Sequence, residues 1–246
     1  MINRSSKPKK PVSDRVRPEI TKLPELTPGR KFVRKLWRAA ARFLVRLLAR
    51  VEMEGLENFP TEESVLVVSN HLGDADFILG LAFTPRPLEY LAKSELYDFP
   101  VLGALLRAYG TIWIHRGTPD RRAIRAAMNA LSNGRSVAIA PEGRESLSGS
   151  LEEGTQGAAY LALKGDVAIL PVTVTGTEND ILLNNIMKLR RTPITVTIGK
   201  PFRIKLGSDR KESLYQGTEQ IMRVLASQLP AEYRGVYQTA MESNDE

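Results

Sequence analysis

Apolar residues recur at helical spacing from Lys31 to Val51, through Phe32, Leu36, Trp37, Phe43, Leu44, Leu47 and Leu48, with Lys31, Arg34, Lys35, Arg38, Arg42, Arg46 and Arg50 between them. The pattern predicts one amphipathic helix about 30 Å long, with an aromatic and aliphatic face and a basic face. After Gly55 the pattern changes to short apolar runs separated by helical ones. Strands are expected over 65–69, 88–92, 111–115, 136–140, 168–175 and 194–198, and helices over 76–83, 100–109, 120–131, 156–164 and 212–229. That alternation predicts an α/β fold, a mostly parallel central sheet flanked by helices, preceded by the N-terminal amphipathic helix. Met1 to Gly29 differs again: Pro8, Pro11, Pro18, Pro24 and Pro28 stand among Lys, Arg and Ser, with few apolar residues to offset the entropy of ordering. The expected division is therefore a flexible basic arm over 1–30, the amphipathic helix over 31–52 and one domain over 53–246.

Charge adds a direction to this picture. Of the net +7, residues 1–50 carry 15 Lys and Arg against 3 Asp and Glu, so the remainder is acidic. A basic excess confined to one end points to an anionic surface recognised by that end. From Lys31 to Arg50 seven basic residues meet no acidic one, whereas a merely solvated helix face usually mixes signs. The helix is accordingly expected at a membrane surface carrying anionic lipids, its apolar side at the acyl boundary. Packing of that apolar stripe on the protein's own core is the competing reading. A nucleic-acid partner is not expected, since no DNA-binding motif or RNP-type aromatic segment is present. The first thirty residues lack the apolar centre of a signal peptide, and no run of about 18 uncharged apolar residues predicts a transmembrane helix. The chain has no cysteine, which removes a thiol nucleophile, a disulfide framework and Cys-ligated metal.

The candidate chemistry lies at strand ends. Asn70-His71-Leu72-Gly73-Asp74-Ala75-Asp76 follows the apolar run Val65 to Ser69 and sets one of two histidines beside two carboxylates. An imidazole suits proton transfer near neutral pH, and a carboxylate can fix its tautomer. The carboxyl end of a buried strand is also where open α/β sheets bind ligands. The blander alternative is that both aspartates only cap the next helix; Asp74 is assigned to that cap. Three later segments occupy similar places. Arg116 emerges as the strand over 111–115 closes, where a guanidinium could grip a phosphate; His115, on the opposite side by alternation, is read as structural. Ala140-Pro141-Glu142-Gly143-Arg144-Glu145-Ser146 follows another strand, with Gly143 allowing a close turn and Glu142 able to orient a neighbour. Pro171 interrupts an apolar strand, which suggests an edge, a bulge or a bend. No GxSxG elbow is present, and two histidines on different strands give little for a metal site.

In order and approximate spacing these four segments resemble the motifs of the glycerolipid acyltransferases, the family of the 1-acylglycerol-3-phosphate acyltransferases. Its NHxxxxD motif is matched by Asn70, His71 and Asp76, the Arg ending its second motif by Arg116, FPEGTRS by residues 140–146, and the proline of the fourth by Pro171. The chain departs twice: Glu145 stands at the usual Arg of the third motif, with Arg144 one place earlier, and Leu151-Glu152-Glu153-Gly154 is acidic where relatives often carry a lysine. The resemblance implies an O-acyltransferase of phospholipid synthesis. His71 would be the general base on a lysophospholipid or glycerol-phosphate hydroxyl, foremost 1-acylglycerol-3-phosphate. Asp76 would hold the imidazole. Asn70, Lys93, Arg116, Glu142, Gly143 and Arg144 would bind substrate. Acyl-CoA or acyl-carrier protein would be the donor substrate, with no cofactor and no metal, at the cytoplasmic face of the cell membrane. The alternative is a non-catalytic peripheral membrane-binding protein that retains the fold.

Overall fold

The computed structural model describes residues 19–115, 120–205, 207 and 209–238. Seven strands, β1 (Ala49–Glu54), β2 (Val65–Ser69), β3 (Glu89–Lys93), β4 (Ile112–Ile114), β5 (Val137–Ile139), β6 (Ala168–Thr175) and β7 (Thr192–Ile198), form one sheet in the order β1-β7-β6-β2-β5-β3-β4. Every neighbouring pair is parallel except β6 with β7. Among the described residues the helices are α1 (Pro28–Leu48), α2 (Ala75–Phe83), α3 (Leu102–Tyr109), α4 (Arg121–Ser132), α5 (Gly157–Gly165), α6 (Asn179–Met187) and α7 (Arg210–Gln228).

Parallel strands joined by crossover helices are covered on both faces, so their residues must be apolar on both sides. In β2, Leu66 and Val68 enter a core with α4, α5 and α7, built around Leu161, Ile169, Met222 and Leu225. Val65 and Val67 point the other way, toward α1 and α2, with Leu79, Leu81, Tyr109 and Leu170. Pro171 lies on an interior strand, not an edge. Its register partner is Val68 of β2, and the β7 ladder begins one residue later at Val172, where an N–H is needed.

The N-terminal segments depart from the expected division. Residues 1–18 of the expected arm lie outside the described residues, but Thr21 is buried and Pro24 accepts a hydrogen bond from Arg135 at 3.0 Å, so the chain is already packed there. Thr27 caps α1 through its side chain, and Pro28 supplies the first-turn proline. The helix stops at Leu48. Ala49–Glu54 then turns into an edge strand paired with β7, with alternate residues more exposed, so the expected boundary at 52 falls inside the sheet.

The facing of α1 also differs from a simple amphipathic reading, because its apolar residues divide between the core and the surface and two arginines turn inward. Arg34, Arg38, Ala41 and Val45 point inward. Phe32, Leu36, Phe43 and Leu47 point outward, Phe43 being 70% exposed. Arg34 forms a two-pronged ion pair with Glu89 of β3, Nη1 to Oε1 and Nη2 to Oε2 both at 2.7 Å, and donates from Nε to the Tyr109 carbonyl at 2.9 Å. Glu89 Oε1 also accepts from Arg135 Nε at 2.8 Å. Arg38 donates to the Thr84 carbonyl and Arg42 to that of Ala82, which caps the end of α2 from outside. These arginines, with Trp37, Ala41 and Val45 packed on the core, fasten α1 to the body of the protein, and Phe32, Leu36, Phe43 and Leu47 are left on the surface.

Candidate active site

β6, β2 and β5 are adjacent and parallel, so the loops leaving their carboxyl ends meet at one edge of the sheet. Those loops are bonded to one another. The Ser146 N–H donates to the His71 carbonyl at 2.8 Å, and the His71 N–H donates to Glu142 Oε1 at 3.2 Å. Asn179, opening α6, accepts from the Asp74 N–H at 3.1 Å and donates to Glu145 Oε1 at 2.8 Å. Gly73 permits this closeness: a Cβ there would lie 2.4 Å from the Thr177 carbonyl oxygen. Asn179 and the contact at Gly73 carried no signal in the sequence, because their partners lie 34 to 105 residues away.

His71 and Asp76 are brought together. Nδ1 of His71 lies 2.8 Å from Asp76 Oδ2, with the imidazole about a quarter exposed and the carboxylate more enclosed. The same Oδ2 accepts the N–H groups of Leu72 at 2.8 Å and Gly73 at 3.2 Å. Asp76 therefore fixes both the ring and the backbone that carries it. Its place in the first turn of α2 also puts a negative charge where the helix dipole favours one. Asp74, expected as the cap, occupies the cap position but makes no side-chain capping bond. With Nδ1 turned to the carboxylate, Nε2 is the basic nitrogen of the ring.

Asn70 serves a different purpose from the substrate contact expected of it. It is buried, donating from Nδ2 to the Val174 carbonyl at 2.8 Å and accepting the Val174 N–H at 2.9 Å. Both bonds reach β6, so Asn70 acts as a rivet that holds the His71 loop at the strand end.

Glu142 is also buried, and its two oxygens receive the N–H groups of His71 and of Glu152 at 3.2 and 3.0 Å. Burial pushes this carboxyl up to about 7, against the lowering effect of the Glu152 and His71 N–H bonds. Gly143 adopts the left-handed conformation at φ 77°, the turn for which glycine is suited. Arg144, half exposed, is engaged in an ion pair. Its Nε and Nη2 donate to Glu152 Oε2 at 3.0 and 2.6 Å, while Glu152 Oε1 accepts the Leu147 N–H at 2.7 Å. The displaced arginine of the third motif is thus paired with one acid of the second departure, while Glu145 accepts from Asn179 instead.

Lys93 ends β3, exposed at the same edge of the sheet. Arg116, the expected phosphate ligand, lies outside the described residues. His115, read as structural in the sequence, is paired with Asp120: its Nδ1 and its backbone N–H both lie 3.0 Å from Asp120 Oδ2. Burial raises Asp120, but the His115, Ala123 and Arg122 bonds outweigh it and hold the carboxyl below its ordinary range.

Residues 50–175 match the family model described as Acyltransferase. The chain is 30% identical over 173 residues to the chloroplastic 1-acyl-sn-glycerol-3-phosphate acyltransferase LPAT1 of Arabidopsis thaliana, covering 69% of this chain and 48% of that protein. It is 31% identical over 153 residues to the lyso-ornithine lipid O-acyltransferase of Pseudomonas aeruginosa, covering 61% and 56%. The chain thus spans about half the length of the curated relatives it matches. Its structure is similar to the crystal structure of the 1-acyl-sn-glycerophosphate acyltransferase PlsC of Thermotoga maritima, with a TM-score of 0.62, 27% identity and 80% of each chain covered.

Proposed function

The chain belongs to the Acyltransferase family, and from that premise we propose that it is an O-acyltransferase. It moves a fatty acyl group from acyl-CoA or acyl-carrier protein to a hydroxyl of a lysophospholipid or glycerol-phosphate acceptor, foremost 1-acylglycerol-3-phosphate. The observation that carries this reading is the 2.8 Å contact between His71 Nδ1 and Asp76 Oδ2 at the carboxyl end of β2. His71 Nε2 takes the proton of the acceptor hydroxyl as its oxygen attacks the thioester carbonyl. The tetrahedral adduct collapses, the C–S bond breaks, and the imidazolium returns the proton to the departing thiolate. Asp76 stabilises the imidazolium throughout and Glu142 keeps the loop in place. No cofactor takes part in this scheme.

The acceptor phosphate is assigned to Lys93 and Arg116. Arg144 contributes only if its pair with Glu152 opens. That pairing favours a second acceptor class, a lysolipid without a phosphate, which the similarity to a lyso-ornithine lipid O-acyltransferase also supports.

The outward apolar residues of α1, flanked by Lys31, Lys35 and Arg46, support a peripheral site at an anionic membrane surface, on the cytoplasmic face of the cell membrane. Among the described residues no helix is long and apolar enough to cross a membrane.

The test is acyl transfer from labelled acyl-CoA and acyl-carrier protein to a panel of lysolipids, by the parent protein and by His71→Ala. General-base assistance is worth about 10²- to 10⁴-fold, so the variant should lose at least that much turnover. Equal turnover by the variant would remove His71 from the mechanism. Absence of product from the parent with either donor would leave the non-catalytic membrane-binding reading.

A further inference from the structure

We propose that α6 and the turn after it form a second bilayer contact, distinct from α1, which docks on anionic phospholipid beside the His71 loop. Helix α6 carries Ile181, Leu182, Leu183, Ile186 and Met187, yet none of its nine residues is buried. The turn that follows sets Leu189 at 95% exposure with φ 51°. A β-carbon in the left-handed region is strained, and helix ends of this kind are ordinarily glycine or asparagine. A strained leucine standing wholly in water gains nothing within the protein. Exposed apolar surface of this extent marks an interaction site.

The surrounding chemistry selects a lipid surface over another protein. Lys188, Arg190 and Arg191 bracket Leu189, and the one acid of the helix, Asp180, sits at its opposite end. Apolar side chains with adjoining cations are what an anionic bilayer holds, the first in the acyl boundary and the second at the headgroups. Position supports the same occupant. Arg191 Nε donates to the Ala49 carbonyl at 2.9 Å, and Thr192 pairs with Ala49 directly after Leu48, so the α6 turn abuts the carboxyl end of α1. At its other end α6 begins at Asn179, which holds the Asp74 N–H and Glu145. The helix therefore bridges the membrane-facing end of α1 and the catalytic loop. The inference rests on the reading of the protein as a peripheral one at a membrane surface, whichever of its helices makes the contact.

The test uses the full chain and vesicles of phosphatidylglycerol and phosphatidylcholine in equal parts. Three variants are compared: Leu183→Gln with Met187→Gln and Leu189→Gln; Lys188→Gln with Arg190→Gln; and, on α1, Phe43→Gln with Leu47→Gln. All seven positions are exposed, so the fold should survive, which circular dichroism checks. Each α6 variant should partition about tenfold or more weakly than the parent, and the charge variant should also lose the preference over pure phosphatidylcholine. Because the chain has no cysteine, a polarity-sensitive dye can be placed uniquely through Met187→Cys. It should shift to the blue on vesicles, while the same dye at Gln220→Cys on α7 does not. Parent-like partition by both α6 variants together with loss by the α1 variant overturns the α6 contact and leaves the α1 reading standing. Loss by the α6 variants alone upholds α6 and refutes α1. A parent that ignores vesicles defeats both. An α6 variant that changes only the sedimentation of the protein, with vesicle binding intact, assigns the face to another copy of the chain and overturns the proposal.

Discussion

Replacing Glu89 by glutamine isolates the attachment of α1. Glu89 is 1% exposed and takes three bonds from two guanidinium groups, both at 2.7 Å from Arg34 and one at 2.8 Å from Arg135. Glutamine keeps the shape but loses the charge, and its amide nitrogen must face at least one arginine N–H as a second donor. Arg34, 4% exposed, is then a buried cation without its counter-ion. Breaking one side of such a pair costs about 3–5 kcal/mol. That is a large fraction of the roughly 5–15 kcal/mol that holds a domain together, and in a chain of this size it lowers the melting temperature by roughly 6–20 °C. Urea unfolding followed by far-ultraviolet circular dichroism measures the change. The combined change Glu89→Leu with Arg34→Met should cost less than Glu89→Gln alone, because the apolar pair leaves Arg135 as the one cation to rearrange, and that residue is nearer to solvent. A loss below about 1 kcal/mol for Glu89→Gln, the scale of an exposed ion pair, would refute the claim that this pair anchors the helix.

Glu142 gives a prediction in pH. Its carboxyl is raised from 4.5 to about 7 in the folded state, so between those values the folded protein holds a proton that the unfolded chain has released. Stability therefore falls as pH rises through that window, by up to about 3 kcal/mol, and the slope ends above it. Glu142→Gln, which cannot titrate, should flatten the melting temperature across the window; a slope equal to the parent's would point to other groups. At Gly73, alanine would press its Cβ onto the Thr177 carbonyl at 2.4 Å and Asn179 Oδ1 at 2.8 Å, displacing the His71 loop. Acyl transfer should drop by about a hundredfold, as misplacement by an ångström can cause. Gly29→Ala in the first turn of α1, which meets nothing within 4 Å, should leave both activity and stability at or slightly above the parent's.

Local features were legible in the sequence and distant pairings were not. β2 and β6 coincide with their expected spans because a buried interior strand is apolar on both faces and bounded by polar turns. The His71–Asp76 pair could be read because both partners sit five residues apart across one strand-to-helix turn. β1 was hidden because Val51 continues the helical period of α1 as well as it fits a strand. α6 was hidden because it buries no stripe, which is the signal that periodicity detects. The inward arginines of α1 could not be foreseen from a rule that turns apolar residues inward; the buried acid that draws Arg34 in lies 55 residues away. Asn70 and Glu142 show the same limit, since their bonds to Val174 and Glu152 turn candidate ligands into supports.

Leu48 is the last residue of α1 and Ala49 the first of β1, with no linker between them. Together with the Arg34 anchor at the other end, this joint removes any hinge between the helix and the sheet. The helix and the sheet therefore move as one body, so a surface that holds α1 also sets the height and tilt of the His71 loop. On the proposed membrane reading, the depth at which α1 rests would then select which hydroxyl of a glycerol backbone comes level with the imidazole, before any side chain had recognised the headgroup.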